Sequence, residues 1–269
     1  MKKILAFLLA AVMIFAMAAC TPADNNGTTA GTQGTEGTQG TEGTTGTTSG
    51  ADVMTHEEFM AAEMGATVTV ETYVQAKQSW WEDKATIYTQ AEDGAYFLYS
   101  VPCTKELYDK LTIGTKIRVT GMKTEYKGEV EIASDALIPA TIEILEGNWV
   151  ATATDVTALL GTDDLIKHQN ELVSFKGMTV ESIKDKNGNE AAFLYNWDGS
   201  GSEGNDLYFN VSVNGKTYNF CVESYLTGKG TDVYEAVKAL KIGDKIDLEG
   251  FLYWYDGVNP HITAVAPAK

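Results

Sequence analysis

Between Met54 and Ala266 the chain reads as a series of short alternating stretches divided by Gly, Asn and Asp. Polar and apolar positions alternate with the period of half-buried strands near Val68–Gln75, Thr86–Gln90, Tyr96–Val101, Lys116–Glu125 and Glu129–Ile132. A second set falls at Leu172–Ile183, Ala191–Tyr195, Leu207–Val213, Thr217–Val222, Lys245–Tyr253 and Ile262–Val265. Thr55 and Glu58 have capping-box spacing and predict a short helix to about Met64. Two further helices are predicted at Lys105–Leu111 and Asp232–Leu240.

An internal repeat organises these elements. Leu111–Gly128 (LTIGTKIRVTGMKTEYKG) and Leu240–Gly257 (LKIGDKIDLEGFLYWYDG) share eight of 18 residues without a gap, 129 positions apart. That spacing is too long for a solenoid and suits two domains. In each copy a helix ends at Leu111 or Leu240, and Gly114 or Gly243 turns into a strand. Gly121 or Gly250 then lies inside that strand, where glycine marks a bulge or bend. Lys127-Gly128 and Asp256-Gly257 supply hairpin turns. Three strands, a helix and a two-strand hairpin is the order of a five-stranded Greek-key barrel. The motif L-x-I-G-[TD]-K-I-x-[VL]-x-G, followed by an aromatic hairpin, resembles the OB-like domains of bacterial surface and secreted proteins. The expected architecture is mostly β: two small OB-like barrels, each with a short helix, over residues 52–147 and 148–269. The second carries an extra strand or insertion around Asn196–Asp206. The resemblance implies binding, most often of nucleic acid or oligosaccharide.

The first 51 residues have a different character. Lys2 and Lys3 precede a 16-residue apolar run, Ile4–Ala19, too short for a typical spanning helix. This is the layout of a secretory signal peptide over residues 1–20. Met17-Ala18-Ala19-Cys20 resembles a lipoprotein lipobox, with Met where Leu is usual. That resemblance implies lipid on Cys20 and a protein anchored at the outer face of a cell membrane. Residues 21–51 are almost all Gly, Thr, Gln, Glu, Asn and Ala, with Gly31–Glu36 repeated at Gly37–Glu42. They read as a disordered tether with a reach of roughly 30 Å.

Charge narrows the partners. The chain carries 20 Lys and Arg against 37 Asp and Glu, a net −17, and its sole arginine is Arg118. A polyanion normally meets a Lys- and Arg-rich surface, so charge disfavours nucleic acid.

An OB-fold binds on the face of its second and third strands, between its first and last hairpin loops. In the first domain these loops are Ala76–Lys84 and Glu125–Glu129. Trp80 and Trp81 are adjacent, so one strand face cannot bury both, and Tyr88 and Tyr126 would complete an aromatic platform. Equally, the tryptophans could cap the barrel end or fill an interdomain contact. In the second domain Tyr195 and Trp197 are assigned to the second-strand region. Alternation puts Tyr253 and Tyr255 on one face and Trp254 on the other, with His261 following. Flat rings beside Asn or Asp are what a sugar site needs, though any aromatic-rich barrel supplies them.

Chemistry beyond binding finds little support. Asp198–Asp206 is a flexible acidic loop without EF-hand spacing and reads as solvated rather than calcium-binding. Cys103 and Cys221 read as separate buried thiols, and neither has a histidine within ten residues. His56, His168 and His261 are scattered, and no metal spacing, phosphate loop or nucleophile elbow is present. No cofactor is expected. The sequence predicts a non-catalytic module for an extracellular glycan, peptide or protein. Single-stranded nucleic acid binding and a structural role in an envelope complex are the alternatives.

Overall fold

The computed structural model describes residues 52–269. The leader, Cys20 and the whole tether lie outside the described residues.

The first barrel is built from α1 (His56–Ala61), β1 (Thr67–Lys77), β2 (Lys84–Ala91), β3 (Gly94–Pro102), α2 (Lys105–Lys110), β4 (Thr115–Tyr126), β5 (Glu129–Ala133) and β6 (Thr141–Asn148). β1 pairs with both β2 and β4, so the order β1-β2-β3-β5-β4 closes on itself. β3 and β5 are parallel and the other barrel pairs antiparallel. This is the OB order. β6 lies outside the sequence expectation. It runs antiparallel beside the first half of β4 and extends the edge begun by β5.

Alternation explains the core. Val68, Val70 and Val74 of β1 face inward with Ile87, Leu98, Ile117, Val119 and Ile132, all fully buried. Each such side chain contributes about 1.5–3 kcal/mol of burial. The capping box of α1 forms, with Glu58 N–H donating to Thr55 Oγ1 (3.3 Å) and Thr55 N–H to Glu58 Oε2 (2.8 Å). Phe59 is thereby held against Tyr96, ring centroids 5.1 Å apart. Lys123, one of the inward positions of β4, is buried because it serves the same helix. Its ammonium donates to the carbonyls of Met60 (2.7 Å) and Ala62 (2.8 Å), which the helix leaves unsatisfied.

The second barrel follows β7 (Thr154–Asp155) and two short 3-10 turns. Its elements are β8 (Leu172–Glu181), β9 (Ile183–Lys184), β10 (Glu190–Ala191), β11 (Leu194–Tyr195), β12 (Leu207–Val213), β13 (Lys216–Val222), α3 (Ser224–Thr227), α4 (Asp232–Lys238), β14 (Lys245–Phe251) and β15 (His261–Pro267). β8 pairs with β12 and β14, closing β8-β12-β13-β15-β14, and β13 and β15 are the parallel pair. The architecture is therefore two OB-like barrels of the same strand order.

Two sequence expectations change here. The second strand is β12, not Ala191–Tyr195, and residues 182–206 form the insertion between the first and second strands. Its ladders are two residues long, and Asn196 has a left-handed backbone (φ 59°) that ends pairing. Tyr234 of α4 pins this loop, donating to Asn205 O and accepting from Gly204 N–H, both at 2.8 Å. The strand expected over Lys245–Tyr253 stops at Phe251, because Tyr253 N–H turns back to the Phe251 carbonyl at 2.8 Å.

The barrels share a buried seam. Tyr88 and Phe97, on the outer face of β2 and β3, pack on Phe251, with Leu172, Leu226 and Tyr253 around them. Tyr88 stacks on Phe251 at 4.5 Å, and its hydroxyl lies 2.5 Å from His261 Nδ1. The two equivalent hairpins also touch. Asp256 N–H donates to Lys127 O (2.7 Å), Lys127 Nζ pairs with Asp256 (2.8 Å), and Trp254 N–H donates to Glu129 Oε2 (2.8 Å).

Candidate functional site

The seam decides which barrel face stays open. On the first barrel the β2–β3 face is buried under the second, so Tyr88 is no part of an accessible platform. It is fully buried, and exclusion from water raises its phenol well above the ordinary value. Trp80 and Trp81 also part company. Trp80 turns inward and its indole N–H donates to Cys103 O at 2.9 Å. Trp81 stands at the β1–β2 turn and is 70% exposed. The turn is tight, with Glu82 and Asp83 both at positive φ, and the Trp81–Lys84 bridge closes it.

On the second barrel the β12–β13 face is open. A cleft of about 490 Å³ lies on it, lined by Trp197, Tyr208, Asn219, Tyr253, Tyr255, Asn259 and His261. Its walls come from the insertion (Trp197) and the last hairpin (Tyr253–Asn259), the loops that flank an OB binding face. The seam therefore brings together four of the sequence candidates: Trp197, Tyr253, Tyr255 and His261. Tyr126 joins from the first barrel, its ring 6.0 Å from that of Tyr255. Its hydroxyl, bonded to Tyr255, raises the Tyr255 phenol.

Two candidates belong to the core instead. Tyr195 packs against the second hydrophobic core, edge-on to Phe193 at 5.3 Å. It leaves the site because β11 pairs with β12 and turns its ring inward. Trp254 lies against the same core and beside Gly128 of the first barrel. A side chain on Gly128 would place its Cβ 2.7 Å from the indole, so glycine is needed there for close approach. The alternation of Tyr253 and Tyr255 against Trp254 holds in effect, although these residues lie beyond the strand.

The floor of the cleft is uncharged. His261 stacks on Tyr253 at 4.3 Å, and its Nδ1 is engaged by Tyr88. Burial pushes its imidazole down to about 3, so the ring is neutral at ordinary pH. With Tyr88 donating to Nδ1, Nε2 carries the proton and has no protein partner among the described residues. Asn219 spends its amide N–H on Asn210 Oδ1 (3.0 Å), leaving its own Oδ1 free to accept. Asn259 offers a whole amide. Sequence reasoning missed Tyr208 and Asn219. Their signal was the alternation of β12 and β13, which assigns both to the outward face.

Two further depressions follow the cleft, the first sharing Tyr253 with it and the second sharing Tyr99 with the first. One, about 460 Å³, is lined by Tyr99, Thr124, Glu125, Tyr126, Glu131 and Tyr253. Burial pushes the Glu131 carboxyl up to about 7. The other, about 260 Å³, lies between Trp81, Tyr99 and Tyr225.

The carboxylates of the acidic insertion have protein partners. Asp198 accepts from Ser200 N–H (2.9 Å), Asp206 from Ser224 N–H (2.8 Å), and Glu203 pairs with Lys229 and Lys238. Among the described residues no group of three or more His, Cys, Asp and Glu is placed to hold a metal ion. Cys103 and Cys221 are both buried and unpaired.

Neither family models nor curated proteins match the chain. Solved structures with a similar arrangement include a murine DNA-binding protein bound with double-stranded DNA, at 13% identity and TM-score 0.36, covering 75% of this chain and 96% of that one. The Ifi202 HINa domain in complex with double-stranded DNA has 14% identity and TM-score 0.33, covering 76% and 100%. A replication protein A heterotrimer bound to single-stranded DNA has 10% identity and TM-score 0.28, covering 76% and 49%. The fold assignment rests on the strand order of the two barrels.

Proposed function

We propose that this chain is a non-catalytic binding protein that captures an extracellular ligand in the aromatic cleft of its second barrel. One observation carries the reading: exposed rings and neutral amides with free hydrogen-bonding atoms converge on the β12–β13 face, between the two loops that flank an OB binding surface. Trp197 is 75% exposed and Tyr255 48%. Large rings left in water beside a cleft are held there at a cost that ligand contact offsets. The leader-like segment, Cys20 and the Gly/Thr-rich stretch support the rest of the proposal, a lipid-anchored protein whose barrels stand off a bilayer on a tether. Two acyl chains on Cys20 would make that attachment stable.

The test is a binding screen of the purified protein against glycans, peptides and single-stranded oligonucleotides, repeated with Trp197→Ala/Tyr255→Ala. Both rings are at the surface, so the double variant should unfold at the parental temperature. It should lose binding by at least about tenfold, as expected for central aromatic anchors. Parental affinity in the variant sinks the proposed site. Oligonucleotides belong in the screen because aromatic faces stack bases as readily as sugars. Steeply salt-dependent capture of one would favour nucleic acid as the ligand.

A further inference from the structure

We infer that the ligand is an uncharged linear oligosaccharide, long enough to run from the second barrel's cleft across the seam onto the first barrel. The inference rests on the cleft being the ligand site, as proposed above. It adds the ligand's class and its length.

Length follows from continuity. Tyr253 lines both the Trp197 cleft and the depression holding Tyr126 and Glu131. Tyr99 lines that depression and also the one beside Trp81 and Tyr225. Tyr99 and Tyr253 are tied to one buried ring, Phe97, at 6.3 and 5.4 Å. The three hollows are therefore neighbours in one row. The seam fixes their spacing through the Lys127–Asp256 pair and the Tyr88–His261 bond. A ligand confined to the first cleft would leave Tyr99, Trp81 and Tyr225 in water without a role, and all three are at least half exposed. A chain that meets successive rings gains affinity at each station.

Class follows from charge and hydrogen bonding. Among the described residues Lys84 is the only cation lining any of the three hollows, while Glu125 and Glu131 line the middle one. Lys127 sits above the Tyr255 ring but is paired with Asp256. A polyanion would find no row of cations to replace its counterions. An extended peptide adding to a sheet needs a free edge, and no residue of the edge strand β6 lines any of the three hollows. What the row presents is flat apolar rings with neutral donors and acceptors between them: Asn219, Asn259, Thr124 and His261 Nε2. Sugar rings have apolar faces and hydroxyl rims, and match both.

Calorimetric titration of the purified full chain tests this. The probes are cello-, xylo-, malto- and chito-oligosaccharides from the disaccharide upward, with single-stranded oligothymidylate and oligogalacturonate as charged probes. For at least one neutral series affinity should rise about tenfold or more with length. Trp81→Ala should weaken the longest member by about tenfold and leave the shortest unchanged, while Trp197→Ala weakens both. Affinity that stops rising at the disaccharide, or a Trp81→Ala variant with parental affinity for the longest probe, overturns the spanning ligand and leaves the cleft reading standing. Failure of every neutral series to bind overturns the ligand class. If a charged probe or a peptide then binds in a Trp197-dependent way, the cleft reading survives; if it binds regardless of Trp197, that reading falls too.

Discussion

Glu129→Gln should stabilise the protein by roughly 3–5 kcal/mol at pH 8 and above, and hardly at all at pH 4. Glu129 is fully buried at the seam, and burial pushes its carboxyl from 4.5 up to about 8. Its Oε2 accepts from Trp254 N–H, while Oε1 and the neighbouring Asn170 Oδ1 have no partner among the described residues. Hydrogen bonds from Trp254 N–H and the Asn170 side chain favour the ionised form, but burial outweighs them, so the folded carboxyl keeps its proton up to about pH 8. The sign follows from that proton. Below about pH 4.5 the folded and unfolded chains both hold it, and Glu129 does not alter stability with pH. Between 4.5 and 8 the unfolded carboxyl loses it while the folded one keeps it, so stability falls by about 1.4 kcal/mol per pH unit. Above 8 the whole cost is in place. A glutamine amide accepts from Trp254 at every pH and carries no charge, which removes the dependence.

Glu131 and Glu223, both pushed up to about 7 by burial, act in the same direction. His261 acts oppositely. Its folded value of about 3 makes stability fall as pH drops below the unfolded value of 6.5. His56, also lowered by burial, acts with His261, but three carboxyls outweigh two imidazoles above about pH 4.5, so the parent should lose stability as pH rises from about 5 to about 8. Denaturant titrations across pH 4–9 check both statements. A parent and variant whose curves stay parallel would refute the assignment.

Gly250→Ala should cost about 3 kcal/mol or more and loosen the ligand site with it. A Cβ at Gly250 would lie 2.3 Å from the His261 carbonyl and 2.8 Å from Ile262 Cα. Both are backbone atoms of β15, which cannot swing aside like a side chain. The pairing of β14 with β15 also shifts register between Glu249 and Gly250. The glycine is therefore where β14 bends and lets the barrel close. Gly243→Ala is the contrast. It meets open space but has φ +92°, so only backbone strain of about 1–2 kcal/mol opposes it. Chemical denaturation of both variants should rank Gly250→Ala well below Gly243→Ala. The reverse order would contradict the role given to the bend.

The repeat made the barrels legible because its glycines answer local demands. Gly114 and Gly243 turn at positive φ, and Gly121 and Gly250 admit a neighbouring strand closely. The seam was harder to see, because which outer face is covered depends on a partner surface distant in sequence. A signal was present on β3, where Ala95-Tyr96-Phe97-Leu98 is an unbroken apolar run. In the structure burial is unbroken over Gly94–Leu98 and over Ala85–Gln90 of β2. Unbroken burial means both faces are covered, and that pattern marks Tyr88 as interior. The insertion misled for a related reason. Ala191–Tyr195 has strand composition, but the left-handed Asn196 beside it stops the ladder, so Trp197 becomes loop and reaches the cleft. β6 was missed because Thr141–Asn148 rides on the barrel's outside and is largely exposed.

The proposed ligand row is tested most directly by the indole N–H resonances of the protein's five tryptophans during titration with a bound ligand. Trp197 should shift, joined by Trp81 for a chain that spans the seam. Trp80 and Trp254, turned into the fold, and Trp149, beside Tyr73 on the first barrel, should stay in place. Saturable binding that leaves Trp197 unmoved would contradict the account.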